Sequence, residues 1–461
     1  MEHINQHKNG QVHMIGIGGS SMSGLASILA DKGYRITGSD IADSAIIQHL
    51  RDRGIPIYIG HTAENITGAT VIVRTAAVHD DNPEIVAARE KGIPIIERSV
   101  LLGQLMTQYE VAIGIAGTHG KTTTTSMTST IFELAGVNPT IHIGGVLDLI
   151  GGSTKSGDSR FFITEACEYV ESFLTLRPNI AVILNIDNDH LDYYKNLDNI
   201  QKAFTRYAAL VPAAGTLIVN YDDPRCMQVL ETAVCRKDSI SLESMDANWY
   251  AGNISFNENG FASFDVYHHG NLFGHFSIFV PGRHNVYNAL AAIAISYRCG
   301  LTPKDMDRGF RAFHGADRRF DEAGVKNGMR IVHDYAHHPT EIRATIDAAV
   351  LQHPNRVITV FQPHTYSRLI NLFDAFTSAF DASDITIVTD VYAARETNPG
   401  GMSPKDLVDA LNAKGKQAVF ISSFEDIASY LVKNGQENDL ILTIGAGTIE
   451  KLSQIILDCE L

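Results

Sequence analysis

The stretch GIAGTHGKTTTTSMTS, Gly114 to Ser129, decides the fold. VAIGIAG, from Val111, reads as an apolar strand that delivers Gly117, Thr118, His119 and Gly120 into a turn, after which Lys121 and Thr122 open a helix running through TTTSMTSTIFELAG. Such a strand–turn–helix aims backbone N–H groups at a phosphate. Its lysine can neutralise the outer phosphates, and its threonine hydroxyl can join a magnesium shell. The usual spacing asks for a further glycine where Ile115 stands. Either the loop is one residue tighter than usual and holds a nucleoside triphosphate, or a Gly/Thr-rich helix start imitates the motif by chance.

The rest of the chain bounds that choice. At 461 residues it is too long for one ordinary core, so roughly two to four domains are expected. Basic residues number 37 against 52 acidic ones, a net charge of -15, which gives no basis for a broad nucleic-acid or anionic-membrane surface. The five cysteines, Cys167, Cys226, Cys235, Cys299 and Cys459, form neither a zinc spacing nor a disulfide framework. The start, MEHINQHKNGQVHMIGIGG, has no basic segment followed by a long apolar core, and the cytoplasm is the expected compartment.

Two further nucleotide-like units flank the loop. In the first, QVHMIGIGG is a strand meeting glycines, SMSGLASILADKG is a helix, and YRITGSD is a second strand ending at Asp40; IPIYIG, ATVIVRTAAV and GIPIIE continue the alternation. Gly16, Gly18 and Gly19 suit a dinucleotide, some other phosphate-bearing ligand or a purely structural turn, and Ser21 stands where a strict dinucleotide pattern has glycine. In the last unit, MRIVHDYA, RVITVFQP, ITIVTDVY, QAVFI and DLILTIGAG predict another doubly wound sheet. Its strand ends carry Asp334, Tyr335, His337, His338, His364 and Arg368. No close histidine pair with zinc-like partners is evident from spacing.

Between these units the strand ends offer more oxygen and imidazole groups. SRFFITEACEY presents Glu165, and NIAVILNIDNDHLDYY presents Asn185, Asp187, Asp189 and His190. These are metal or nucleotide ligands on one reading and a solvated, capping loop on the other. Residues 248–279 alternate as short antiparallel strands beside the main sheet, and Asn285 and Asn288 share one face of the next helix, as base-recognising amides or as caps.

In order along the chain, GIGGSSMSG, AGTHGKTTTT, EACEYVESFLTLRP, NIDNDHLDYY, GRHNVYNALAAIA, DRRF, DYAHHPTE, FQPHTYSR and DVYAARE resemble the Mur ligase family, whose ATP loop has the shorter glycine pattern. The EACEY form resembles Firmicutes-type members. The resemblance implies an α/β architecture of three domains: an N-terminal Rossmann-like UDP-sugar domain (1–108), a central P-loop ATPase-like domain (109–318) and a C-terminal Rossmann-like amino-acid domain (319–461). It further implies a cytoplasmic, peptidoglycan-building enzyme that uses ATP and magnesium, with manganese able to substitute, to join L-alanine to UDP-N-acetylmuramate. No nucleic-acid or membrane partner is expected, and the chain is expected to be a monomer or weak homodimer.

Carried over residue by residue, the resemblance makes Gly117, Thr118, His119, Gly120, Lys121, Thr122, Thr123, Asn288, Arg319 and Asp334 nucleotide-binding, and Thr122, Glu165 and His190 metal-binding. Gly18, Ser20, Asp40 and Thr75, the loop residues His142, Gly144 and Gly145, and Tyr335 fall to the substrates. Lys121, His190, His337, His364 and Arg368 surround the reaction. Two positions depart from the family pattern: Ser21 stands for a usual glycine and Thr448 for a usual aspartate. No position matches the carbamylated lysine of other members, Lys202 reading as helix surface.

The implied chemistry is activation of a carboxylate as an acyl phosphate, then attack by the alanine amine, with His337 and His364 orienting the amine, moving a proton or stabilising the intermediate. Competing readings are a recycling ligase that adds a preformed tripeptide to the same sugar nucleotide, and an NTP-driven switch or binding protein.

Overall fold

The computed structural model describes residues 2–460. Its strands fall into three sheets, one per domain. In the first, β1 (Gln11–Ile15), β2 (Arg35–Asp40), β3 (Ile57–Ile59), β4 (Ala69–Arg74) and β5 (Ile95–Glu97) lie in the order 3-2-1-4-5, all parallel. That order reverses direction at β1, and its glycine turn therefore opens at the sheet's ligand-binding edge.

The second sheet is built on β6 (Val111–Ala116), whose run of apolar residues is buried because helices cover both faces. Around it stand β7 (Thr140–Leu147), β8 (Gly152–Lys155), β9 (Phe161–Glu165), β10 (Ile180–Ile183), β11 (Thr216–Asn220) and β12 (Arg236–Ser241). The antiparallel β13 (Trp249–Phe256), β14 (Phe261–His268) and β15 (Asn271–Pro281) do not form a separate layer. β13 pairs with β12, so they extend the main sheet to ten strands. Burial alternates along β13 and β14, as one-sided antiparallel strands require.

The third sheet departs from the doubly wound expectation at its edge. β16 (Asp321–Lys326) runs antiparallel to β17 (Met329–Asp334). Beyond it β21 (Leu440–Ile444), β18 (Val357–Phe361), β19 (Ile385–Val388) and β20 (Ala418–Phe420) are parallel. Among the described residues no helix is long and apolar enough to cross a membrane.

The first two domains share one core. Leu101, Leu102 and Leu105 on the helix Arg98–Met106 pack in the same cluster as Phe162, Phe173 and Leu176 of the central domain. The approach is close enough that a Cβ at Gly103 would lie 2.0 Å from the Thr175 carbonyl oxygen, which only glycine permits. The C-terminal core is built from its own residues, from Met329 to Ile456.

Candidate active site

Three loops of the central domain meet the C-terminal domain at one cleft. The first is the turn after β6. Gly117 (φ 142°) and Gly120 (φ 85°) take backbone conformations open to glycine, and Gly120 N-caps the helix Lys121–Leu134 without a side-chain cap, leaving its first amides free. Lys121 Nζ donates to the carbonyls of Gly117 (2.5 Å) and Thr118 (2.9 Å) and pairs with Glu168 (2.9 Å). Burial works against the ammonium, but the nearby carboxylates, Glu168 foremost, more than offset it and raise its pKa. A charged lysine is therefore held curled at the loop, with a buried counter-ion that the sequence reading missed.

Glu168 is 2% exposed and also lies 3.6 Å from His190 Nε2, so Lys121, Glu168 and His190 form one row. Its signal in the sequence was slight, one more acid in EACEYVE. Glu165 is oriented separately: its Oε1 accepts the Gly144 N–H at 2.7 Å.

A Cβ at Gly144 would come within 3.0 Å of the Glu165 carboxylate, and one at Gly145 within 3.0 Å of Thr122 Cγ2. The glycine pair thus leaves room beside the Glu165 carboxylate and the Thr122 side chain, two residues that carry hard oxygen donors of the kind that fit magnesium. His190 faces Glu168 and Asp189 (3.7 Å), with its ring 4.6 Å from Tyr169.

Asn288 lies beneath the loop. Its Oδ1 accepts from Thr124 (3.1 Å), its Nδ2 donates to Asn285 Oδ1 (2.9 Å), and a Cβ on Gly120 would touch it at 2.6 Å. A cavity of about 300 Å³ opens here, lined by His119, Gly120, Thr122, Thr123, Asn288, Arg319 and Asp334 among others. Seven of the nucleotide-binding expectations thus share one cavity. Burial raises the Asp334 carboxyl to about 6, although it accepts the N–H groups of Phe320 (2.8 Å) and Ala336 (2.7 Å). Arg319 lies 5.4 Å from the Tyr335 ring centre and 4.0 Å from Glu341, a second missed carboxylate. Glu341 belongs to the capping box that His338 forms on the helix Pro339–Val350, and its sequence signal was that of a helix start.

Contacts between central and C-terminal domains are polar. Thr340 Oγ1 donates to Asp187 (2.6 Å), His338 Nε2 meets the Asn188 carbonyl (2.7 Å), and Arg368 reaches Asp189 with Nε (3.2 Å) and Nη2 (2.9 Å). His119 stands between Asp187 (3.1 Å) and Glu341 (3.3 Å). Burial alone would lower its pKa, yet these two carboxylates raise it to about 9. Spacing had shown no close histidine pair with metal-type partners, whereas the fold gathers His119, Asp187 and His338 within 4.8 Å. The ring of His119 thus faces a carboxylate from each domain, and the trio links the central and C-terminal domains.

A second cavity, of about 420 Å³, is lined by Asp189, His190, His364 and Arg368 among others. Two neutral imidazoles approach each other nearby, with the rings of His337 and His364 5.7 Å apart. Burial lowers His337 to about 4 and also lowers His364. His337 Nδ1 meets the Tyr335 carbonyl at 2.9 Å, which puts the proton on Nδ1 and leaves Nε2 a lone pair. His364 Nδ1 accepts from Arg368 Nη1 at 3.0 Å, which puts its proton on Nε2.

The N-terminal expectations sit elsewhere. Asp40 accepts the Gly18 N–H (2.9 Å), and Thr75 would contact a Cβ on Gly16 (3.0 Å). Ser20 opens the helix Ser20–Asp31, and His142 lies against that helix through Ser21 (2.8 Å). Thr448 accepts from Gln362 Nε2 (3.2 Å), tying the ends of two strands. Lys202 is exposed on its helix, Leu197–Ala208.

Comparison with known proteins matches this layout. The Mur ligase catalytic domain family matches residues 11–110, the Mur ligase middle domain residues 115–296, and the Mur ligase glutamate ligase domain residues 318–447. A UDP-N-acetylmuramate--L-alanine ligase from Caldanaerobacter subterraneus is 47% identical over 99% of both chains. The chain belongs to the Mur ligase family. Another such ligase of this family, from Clostridium acetobutylicum, is 47% identical over 97% of each chain. Among solved Mur ligases, the UDP-N-acetylmuramate–alanine ligase of Thermotoga maritima superposes with a TM-score of 0.80 at 28% identity, covering 97% of this chain and 98% of that one. A Neisseria ligase for the L-alanyl-γ-D-glutamyl-meso-diaminopimelate tripeptide is 30% identical over 69% of this chain and 99% of its own, with a TM-score of 0.60.

Proposed function

We propose that this enzyme joins L-alanine to the lactyl carboxylate of UDP-N-acetylmuramate at the expense of ATP, and that the residues of the cleft divide the work as follows. The observation that carries the reading is a cleft in which the Asn185–Asp192 segment contacts both the lysine loop, through His119, and the C-terminal domain, through Thr340 and Arg368, in a chain related along its whole length to alanine-adding ligases. A carboxylate resists amine attack because its leaving group would be oxide. Transfer of the γ-phosphoryl group makes an acyl phosphate and ADP, and phosphate becomes the leaving group.

Lys121 and Arg319 offset charge on the transferring oxygens. Thr122 and Glu165 would hold magnesium, which supplies further positive charge to phosphate oxygens when bound. Asn288 and Asp334 serve the nucleotide. The neutral alanine amine then attacks the acyl carbon. His337 Nε2 accepts a proton from the attacking nitrogen, and the Nε2–H of His364 donates to the carbonyl oxygen as it gains charge. Collapse of the intermediate forms the amide and expels phosphate. Arg368, fixed by Asp189, holds His364 in its tautomer. ATP and nucleotide-activated sugars are cytoplasmic compounds, so the reaction belongs to the cytoplasm.

Purified protein given ATP, magnesium, UDP-N-acetylmuramate and L-alanine is expected to yield UDP-N-acetylmuramoyl-L-alanine, with no product from the tripeptide. ATP turnover without product from any small amino acid overturns the reading. Product from the tripeptide alone assigns the chain to the recycling reaction.

A further inference from the structure

His119, Asp187 and His338 come from three places far apart in the chain: the nucleotide loop, the Asn185–Asp192 segment and the N-cap of the helix Pro339–Val350. Nothing in the chemistry above uses them together. His119 Nε2 lies 3.1 Å from Asp187 Oδ2, and His338 Nδ1 lies 3.7 Å from the same oxygen. One ligand atom from each residue falls within 4.8 Å of the other two. Donors held around a four-coordinate zinc, each at about 2.0–2.2 Å, stand about 3.3–3.5 Å apart. The two shorter separations bracket that spacing, and a small turn of either ring closes the third.

The far nitrogen of each ring is already engaged. His338 is buried, and its Nε2 meets the Asn188 carbonyl at 2.7 Å, which puts the proton there and leaves Nδ1 a lone pair. The Thr340 N–H reaches that lone pair only at 3.3 Å, the long end of the hydrogen-bond range. His119 Nδ1 lies 3.3 Å from Glu341 Oε1, so a proton on Nδ1 faces a carboxylate. A carbonyl behind one ring and a carboxylate behind the other is the arrangement that orients metal-bound histidines and fixes their tautomers. Burial works against the Asp187 charge, but His119 and Thr340 more than offset it and hold its carboxyl well below the usual range. Among the described residues no lysine or arginine pairs with Asp187, and its ion partners are these two imidazoles. Two imidazoles and one carboxylate suit a borderline cation such as Zn2+, whereas Mg2+ takes oxygen donors of the kind Thr122 and Glu165 carry.

We propose that His119, Asp187 and His338 bind a divalent cation of the Zn2+ class, which ties the nucleotide loop to the C-terminal domain and slows turnover while it is bound. Three protein ligands leave a fourth position for water. Water can reach it, since His119 and Asp187 both line the cavity of about 300 Å³. In the metal-free protein a proton on His119 Nε2 stands where the cation would be, and binding releases it. The cation also engages the imidazole of His119, a residue of the nucleotide cavity, and this is why turnover falls.

The test is calorimetry with zinc chloride on the full-length protein, stripped with EDTA and dialysed, alongside His338→Gln, Asp187→Asn and Glu165→Gln. Wild type is expected to bind one zinc per chain, with an affinity that excess magnesium leaves within about twofold. Saturating zinc should raise its melting temperature and lower turnover about tenfold at saturating magnesium, both reversed by chelation. His338→Gln and Asp187→Asn, each with the wild-type melting temperature in EDTA, should bind zinc about 100-fold more weakly; should one of them fail to fold, the other decides. Glu165→Gln should keep the wild-type zinc affinity, which separates this site from the magnesium position. No zinc binding by wild type, or weak adventitious binding that neither substitution alters, overturns the proposal. So does zinc affinity lost in Glu165→Gln and kept in His338→Gln, and so does tight binding that leaves turnover unchanged.

Discussion

Between the N-terminal and central domains the core runs without a break, Leu101 and Leu105 packing in one cluster with Phe162, Phe173 and Leu176. Between the central and C-terminal domains the contacts are Asp187 with Thr340, Asn188 with His338, Asp189 with Arg368 and His119 with Glu341. Buried apolar surface has no substitute partner and holds its geometry. Hydrogen bonds and ion pairs can be traded for bonds to water or to a ligand at small net cost. The C-terminal domain is therefore the one held by contacts that water or a ligand can replace. In its connection, Arg318 (φ 58°) and Phe320 (φ 51°) hold left-handed backbone conformations that non-glycine residues seldom adopt.

The sharpest break between the two seams is chemical. Lys121→Ala is expected to lower turnover by about 10³-fold, the scale of losing a preorganised charge at a transition state. UDP affinity, expected to reside in the N-terminal domain, should stay within about twofold. Equal losses in both would show that the loop and the UDP site act as one unit.

Next in size is the apolar seam. Leu105→Ala empties a fully buried site and should cost about 3 kcal/mol in denaturant unfolding. The N-terminal and central domains should melt together, and two separate transitions for them would contradict the shared core.

A smaller effect belongs to His119. Its folded pKa of about 9 stands above the ordinary 6.5, so its clasp contributes fully below about pH 6.5 and is lost as pH rises through about 9. The stability difference between wild type and His119→Gln, roughly 2 kcal/mol at pH 6, should vanish by about pH 9.5. A difference that is flat with pH would show that His119 is not held protonated.

The smallest expected change is in Asp189→Asn, which keeps shape but removes the charge facing Arg368. Turnover should fall about tenfold, with the melting of the first two domains unmoved. A large drop in that melting would mean the polar seam is structural.

Much of the fold was legible in the sequence because its signals are local. The apolar run into Gly117–Lys121, the strands of the flanking units and the alternation in residues 249–268 each announce themselves within a few residues. Candidate ligands at strand ends followed from the same logic, since loops after parallel strands share one edge. What stayed hidden is pairwise. Glu168 gave no sign that it would neutralise Lys121, 47 positions earlier, nor Glu341 that it would face His119. Ser21 read as a departure from a glycine pattern until His142 and Arg98 met it.

The sequence by itself determined three phosphate- and strand-end-bearing α/β units and the residue types able to move a phosphoryl group, because periodicity and turn chemistry act over short stretches of chain. Only the tertiary structure decided which charges answer one another, which histidine keeps a lone pair and which keeps its proton, and which seam is core and which is clasp. Those properties depend on burial and on distances between segments far apart in the chain, and no local pattern carries them.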